Sequence, residues 1–160
     1  MPTIAGYASV AGKKESEGPL GKMFDKVIFD SRAGTETYEE AESVHQKEAA
    51  LMAMQKSGLC AADFDCIFAG DLLNQCVGSS FGLKGYDIPF LGQYGACSTM
   101  AQALTMAARR ASLSAIGKQS RETAIRPSLT SGMLVIMLQV LLDVDIITAQ
   151  TDVRALFRFF

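Results

Sequence analysis

Cys97 combines a reactive side chain with a sequence context that would activate it. An apolar run and a small-residue turn lead into it, and good helix formers follow over residues 100–108. A thiol at the start of a helix lies near free amide groups and the positive end of the helix dipole, which is expected to lower its pKa. Strand, tight turn, reactive side chain and helix is a common way to present a nucleophile. A buried structural cysteine is the alternative, and the pattern alone favours it.

His45 is the only histidine in the chain and therefore the first candidate for a general base. It lies in a segment that begins with Thr37 and Glu40, the spacing of a capping box. The segment ends at Gly58, a residue typical of helix C-termini. These signals predict a helix over residues 38–57. His45 has charged neighbours there, which predicts a solvent-exposed imidazole without a catalytic role.

Asp71 and Asn74 are candidate pocket residues because they follow a short apolar run. Residues 66–69 are apolar and bounded by polar residues and glycine, a pattern typical of a buried strand. Ligands of open α/β sheets bind beyond the carboxyl ends of the strands. Aspartate and asparagine are also frequent in turns and helix caps, and that structural role is the favoured alternative.

The other elements are predicted from apolar spacing and from glycine and proline. We expect strands at residues 3–10 and 88–91, helices at 22–30 and 79–83, and a helix from the Cys97 turn to about Arg110. Helices that alternate with short buried strands indicate an α/β layered fold. The longest apolar run, residues 133–142, is too short to cross a bilayer.

Composition narrows the class of protein. The chain has 160 residues, about one domain, of which 49% are hydrophobic and 20% charged, so we expect a folded core. A formal net charge of -2 without a basic run gives no support for nucleic-acid binding. The four cysteines lack zinc-ligand spacing, and we interpret them as reduced thiols. We expect neither a metal nor a cofactor, and no secretory signal.

Five stretches, taken together and in order, resemble the stage V sporulation protein AD family: GKKESEGPLG (12–21), FDK (24–26), AGDLLNQ (69–75), IPFL (88–91) and GACST (95–99). The resemblance covers roughly residues 3–108. It implies a thiolase-like layered fold, present here as the first of two similar halves, with a mixed sheet and flanking helices. Cys97 then lies where thiolases and ketoacyl synthases carry their acyl-accepting nucleophile. The resemblance implies a ligand pocket lined by Asp71, Asn74, Cys97 and Ser98.

The resemblance also implies a function. Members of this family are expected to bind dipicolinic acid, alone or with calcium, within the channel for its uptake and release by the spore. The implied partners are other spore channel proteins. The implied location is peripheral, at the cytoplasmic side of the forespore or spore inner membrane. A half-fold would also expose apolar surface, so we expect it to aggregate or to bind a second copy as a homodimer.

Two alternatives belong to other classes. The first is a thiolase-like acyltransferase with Cys97 as the nucleophile, which would need a general base. No histidine follows Cys97 in the chain to act as that base. The second alternative is an inactive partial gene product.

The resemblance ends near Arg110 and divides the chain in two. Residues 1–110 form the thiolase-like half, and residues 111–160 form a divergent tail. The tail has a weakly patterned polar stretch and lacks the Ser-Ser-His segment that the family leads us to expect. We interpret it as truncated or frame-shifted sequence, with a real, divergent C-terminal segment as the alternative.

Overall fold

The computed structural model describes residues 4–71, 73–95, 98–119 and 132–137, with backbone alone for 113–119 and 132–137. The helices are α1 (Lys13–Ser16), α2 (Tyr38–Ser57), α3 (Val77–Leu83) and α4 (Thr99–Gln119). The strands are β1 (Val10–Gly12), β2 (Lys26–Ile28), β3 (Phe64–Gly70), β4 (Phe90–Gly92) and β5 (Gly132–Met137). Short 3-10 turns occupy Gly21–Met23, Ala61–Asp63 and Lys84–Tyr86.

The described strands form two sheets, and every pairing among them is parallel. Strand β1 pairs with β2, and the second sheet has the order β4-β3-β5. The predicted α/β class is confirmed. The mixed sheet is not found among the described strands, because α3 and α4 each return the chain to the same end of the sheet, which gives parallel neighbours.

Strand β3 is the centre of the core. Ile67 and Ala69 pack into one buried cluster, and Cys66 and Phe68 pack into another. Alternate residues of a strand point to opposite faces of the sheet. Helices α2 and α3 therefore cover one face of the sheet, through Ala50, Met54 and Leu83. Helix α4 covers the other face, through Ala103 and Ala107.

Helix α2 begins and ends where the sequence predicts. The Thr37 hydroxyl accepts a hydrogen bond from the Glu40 amide at 3.2 Å, and the Glu40 carboxylate accepts one from the Thr37 amide at 3.2 Å. Gly58 ends the helix in the left-handed conformation, with φ of 69°. Both termini are set by local chemistry, which is why the prediction of residues 38–57 is confirmed.

The prediction of a solvent-exposed His45 is wrong. Only 3% of His45 is exposed, and its Nδ1 lies 2.8 Å from the Ala41 carbonyl oxygen. Glu42 and Gln46 in the same helix are fully buried. Helix α2 contacts α3, β1 and β5, so it is covered on more than the one side that its apolar residues indicated.

The N-terminal predictions are also corrected. The helix expected over residues 22–30 is replaced by a 3-10 turn and by strand β2, which pairs with β1. The strand expected at residues 3–10 begins only at Val10. The Asp25 carboxylate accepts a hydrogen bond from the Ser9 amide at 2.8 Å and pairs with Lys56 at 2.5 Å. These contacts between distant residues hold the segment extended despite its helical spacing.

The later predictions have mixed outcomes. Strand β3 contains the predicted residues 66–69, and α3 contains residues 79–83. Strand β4 overlaps the predicted strand at residues 88–91 only in part. Helix α4 continues beyond Arg110 to Gln119. The division of the chain at residue 110 stays a prediction.

Candidate functional site

Strands β3 and β4 are parallel neighbours whose continuations go to opposite faces of the sheet. After β3 the chain enters α3, on the side of α2, and after β4 it enters α4, on the other side. Such a topological switch point is where open α/β sheets bind ligands. We use the name switch point for the two segments that diverge here, residues 70–76 and 92–99. Of the predicted site residues, Asp71, Asn74 and Ser98 are described, and all three lie within these segments.

Asp71 lies at the base of the switch point with 2% of its surface exposed. Its Oδ1 accepts a hydrogen bond from the Cys76 amide at 3.0 Å, and its Oδ2 accepts bonds from the Ser79 amide at 2.8 Å and hydroxyl at 2.9 Å. These donors compensate the buried carboxylate. Asp71 thus organises the turn into α3, the structural role that the sequence also indicated.

Asn74 and Ser98 lie on opposite sides of the switch point, and both are exposed. The Asn74 carbonyl oxygen accepts a hydrogen bond from the Val77 amide at 3.0 Å, which closes the turn before α3. The Ser98 hydroxyl donates to the Gly95 carbonyl oxygen at 2.7 Å. Cys97, the remaining predicted site residue, lies outside the described residues.

The turn from β4 into α4 is held by its own polar groups. The Gly95 amide donates to the Thr99 hydroxyl at 3.0 Å, and the Ser98 amide donates to the Gly95 carbonyl oxygen at 2.9 Å. This turn places the first amides of the 21-residue helix α4 at the end of β4. A helix N-terminus favours negatively charged groups.

Gly70 brings the two segments of the switch point into contact. A β-carbon at this position would overlap the Gln93 carbonyl oxygen and lie 2.6 Å from the Thr99 side-chain methyl. The Gln93 amide donates to the Ala69 carbonyl oxygen at 2.8 Å and continues the β3–β4 pairing. Only glycine at position 70 permits this close approach.

Cys76 is a switch-point residue that the sequence did not indicate. Its Sγ lies 3.2 Å from the Gln93 carbonyl oxygen and donates to it. Burial, and secondly the nearby charge of Asp71, raise the pKa of this thiol. It therefore stays protonated at neutral pH and can act as a donor. Apolar spacing could not reveal the contact, because it joins two segments that only the sheet brings together.

A series of buried hydrogen bonds connects Asp71 to helix α2. The Gln46 side-chain amide in α2 donates to the Ser79 hydroxyl at 2.9 Å and to the Gly70 carbonyl oxygen at 3.4 Å. Within the described residues, the Oε1 atom of Gln46 is buried without a hydrogen-bond partner. The series continues from Ser79 to Asp71 and so links α2 to the switch point.

Two grooves lie away from the switch point. One, of about 450 Å³, lies beside the start of β4 and includes Lys84, Asp87 and Phe90 in its lining. The other, of about 270 Å³, lies between α2 and the end of α3 and includes Lys47 and Phe81. Neither contains a predicted site residue.

Metal binding and membrane crossing gain no support from the described part of the chain. No group of three histidine, cysteine, aspartate or glutamate side chains is placed there to hold a metal ion. Among the same residues, no helix is both long enough and apolar enough to traverse a bilayer.

The comparison with known proteins identifies the same family that the five sequence stretches resemble. A family model described as stage V sporulation protein AD matches residues 1–121. Stage V sporulation protein AD of Bacillus subtilis (strain 168) is 39% identical over 99 residues, which are 62% of this chain and 29% of that protein. The matched region thus spans less than a third of the length of this relative.

Proposed function

Because this chain belongs to the stage V sporulation protein AD family, we propose that it serves sporulation by binding dipicolinic acid at the switch point. The observation that carries the proposal is the divergence of the chain after two adjacent parallel strands, β3 and β4. This arrangement opens the carboxyl edge of a sheet to a ligand. The thiolase-like character of the fold is part of the same proposal.

The chemistry of the switch point suits a flat aromatic dianion. Dipicolinic acid is a pyridine ring with a carboxylate on either side of the ring nitrogen, so it needs amide donors and an apolar slot. The first amides of α4 supply donors at the positive end of the helix dipole. Leu73 and Tyr94 belong to the two segments of the switch point and are 41% and 52% exposed, so they offer apolar surface for the ring.

In this proposal Cys97 lines the pocket and does not act as a nucleophile. Acyl transfer through a thiol needs a nearby base. The only histidine, His45, is buried in α2 with its Nδ1 against the Ala41 carbonyl oxygen. The acyltransferase alternative therefore predicts a stable acyl adduct on Cys97 after incubation with an acyl-CoA, whereas dipicolinic-acid binding predicts none.

The partners and location follow from the same proposal. We propose that the chain meets the cytoplasmic side of the forespore or spore inner membrane peripherally, through other proteins of the spore channel. We also propose that it pairs with a second copy. Exposed apolar side chains on β4 and α3, such as Leu91 at 45% and Phe81 at 71%, offer surface for such contacts.

Calorimetric titration of the chain with dipicolinic acid, with calcium removed and with calcium present, tests the proposal. We expect a saturable heat in at least one condition, and the two arms separate the free dianion from its calcium chelate. Benzene-1,3-dicarboxylate, which has the same two carboxylates but no ring nitrogen, is the matched control ligand. Absence of heat at millimolar dipicolinic acid in both arms would contradict the proposal.

A further inference from the structure

We propose that Cys76 is a positioning residue that fixes the turn after β4 against the end of β3. The turn comprises residues 93–95 and 98–99 of the described chain. The link from this positioning to ligand binding rests on the proposed function. The positioning itself rests on contacts within the chain.

The first observation is a direct contact between the two halves of the switch point. The Cys76 thiol donates to the Gln93 carbonyl oxygen, with Sγ 3.2 Å away. Gln93 is the first residue after β4, and its amide is already fixed to Ala69 in β3. The Cys76 thiol thus holds the carbonyl of Gln93, at the point where the chain turns toward α4.

The second observation is the space made for the sulfur. A β-carbon at Gly92 would lie 3.3 Å from the Cys76 sulfur and 3.2 Å from the ring of Phe90. Both distances are tighter than ordinary van der Waals contact. Glycine at position 92 therefore leaves room for the thiol to reach the Gln93 carbonyl oxygen just after β4.

The third observation is the way in which Cys76 itself is held. Gln75 and Cys76 both adopt left-handed backbone conformations, with φ of 47° and 73°. Such conformations are unfavourable for residues with a β-carbon and persist where the surroundings impose them. The Cys76 amide donates to Asp71, which also accepts from Ser79, so the turn is fixed from the buried side.

The consequence is a chain of hydrogen bonds that crosses the switch point. It runs from Gln46 in α2 through Ser79 and Asp71 to Cys76, and from its thiol to Gln93. Within this series of hydrogen bonds, the bond from the Cys76 thiol is the one that joins the α3 side to the α4 side. Removal of the thiol should loosen the β4–α4 turn and leave the α3 side intact.

Hydrogen–deuterium exchange of the whole chain, with peptides resolved by mass spectrometry, tests the positioning. We expect Cys76→Ala to raise exchange of the amides in residues 93–95 and 98–99 by about threefold, because a thiol is a weak donor and its loss has an effect near the low end for a hydrogen bond. Cys76→Ser keeps a donor and should restore exchange to within about twofold of the parent. Cys60→Ala is the matched control, because it removes an exposed thiol that caps the local turn Ala61–Asp63, at the opposite end of β3.

Titration with dipicolinic acid is the second readout. We expect Cys76→Ala to weaken binding by about threefold and Cys76→Ser to restore it, in parallel with exchange. Unchanged exchange over residues 93–95 and 98–99 in Cys76→Ala would overturn the positioning. So would an increase spread equally over α2 and α3, since that indicates general destabilisation. A local increase with unchanged affinity would overturn the link to binding. If the parent protein does not bind, the proposed function fails while exchange still decides the positioning.

Discussion

Substitution of Gly70 by alanine is the sharpest perturbation of the switch point. The added β-carbon would overlap the Gln93 carbonyl oxygen and crowd the methyl of Thr99 at 2.6 Å. The carbonyl cannot move away alone, because the amide of the same residue is bonded to Ala69 in β3. Alanine at position 70 must therefore push β4 and the start of α4 away from β3.

The magnitude follows from overpacking a rigid backbone contact. Insertion of a methyl group into a well-packed site destabilises a protein by about 1–3 kcal/mol. The overlap at Gly70 is with backbone, so we expect the upper end, about 3 kcal/mol. For a chain of this size each kcal/mol lowers the melting temperature by about 2–4 °C. The expected decrease for Gly70→Ala is therefore about 6–12 °C.

Thermal unfolding followed by circular dichroism measures this decrease, and Gly85→Ala is the matched control. A β-carbon at Gly85 would meet no atom within 4 Å, and φ there lies outside the left-handed range. Alanine at that position should leave the melting temperature unchanged or raise it slightly. Equal melting temperatures for Gly70→Ala and the parent protein would refute the described contact between β3 and the β4–α4 turn.

Three further perturbations test other parts of the structure. Thr37→Ala removes the cap of α2, so we expect the free energy of unfolding, measured in urea, to fall by about 1 kcal/mol. A decrease below about 0.3 kcal/mol would contradict the cap. The hydrogen bond from Lys56 chiefly holds the pKa of Asp25 below its ordinary 3.8, so Asp25→Asn should destabilise at pH 7. The difference in unfolding free energy between the parent and Asp25→Asn should disappear as pH falls through the lowered pKa of Asp25. A constant difference from pH 7 to pH 3 would contradict this role of Asp25. Iodoacetamide at pH 8 should modify exposed Cys60 before buried Cys66, because burial raises the pKa of the Cys66 thiol. Mass spectrometry measures the order of modification, and the reverse order would contradict the burial of Cys66.

The sequence predicted those elements whose signals are local. Helix α2 is marked by Thr37 and Glu40 at one end and Gly58 at the other, and each acts on its own neighbours. Strand β2 was predicted as a helix, because its pairing with β1 depends on contacts between segments that are distant in the chain. His45 was misplaced for a related reason, since its burial depends on what packs around α2.

The binding site stays a prediction, and the contacts that surround Asp71 could not be predicted from the sequence. The sequence predicted where Asp71 lies, because a polar residue after a buried strand marks the carboxyl edge of a sheet. The hydrogen bonds of Asp71 with Ser79 and Cys76 depend on the left-handed conformations of Gln75 and Cys76. Glutamine and cysteine are not residue types that predict such a conformation. The contact of Cys76 with Gln93 requires β3 and β4 to be neighbours, which spacing along the chain does not specify.

Binding of dipicolinic acid at the switch point is tested most directly by a titration of the 15N-labelled chain, monitored by NMR through its backbone amides. We predict saturable shifts at the amides of residues 73–76, 93–95 and 98–102, on both sides of the switch point. Shifts confined to the groove beside Lys84 and Asp87, or no shifts at millimolar ligand, would contradict the proposed site.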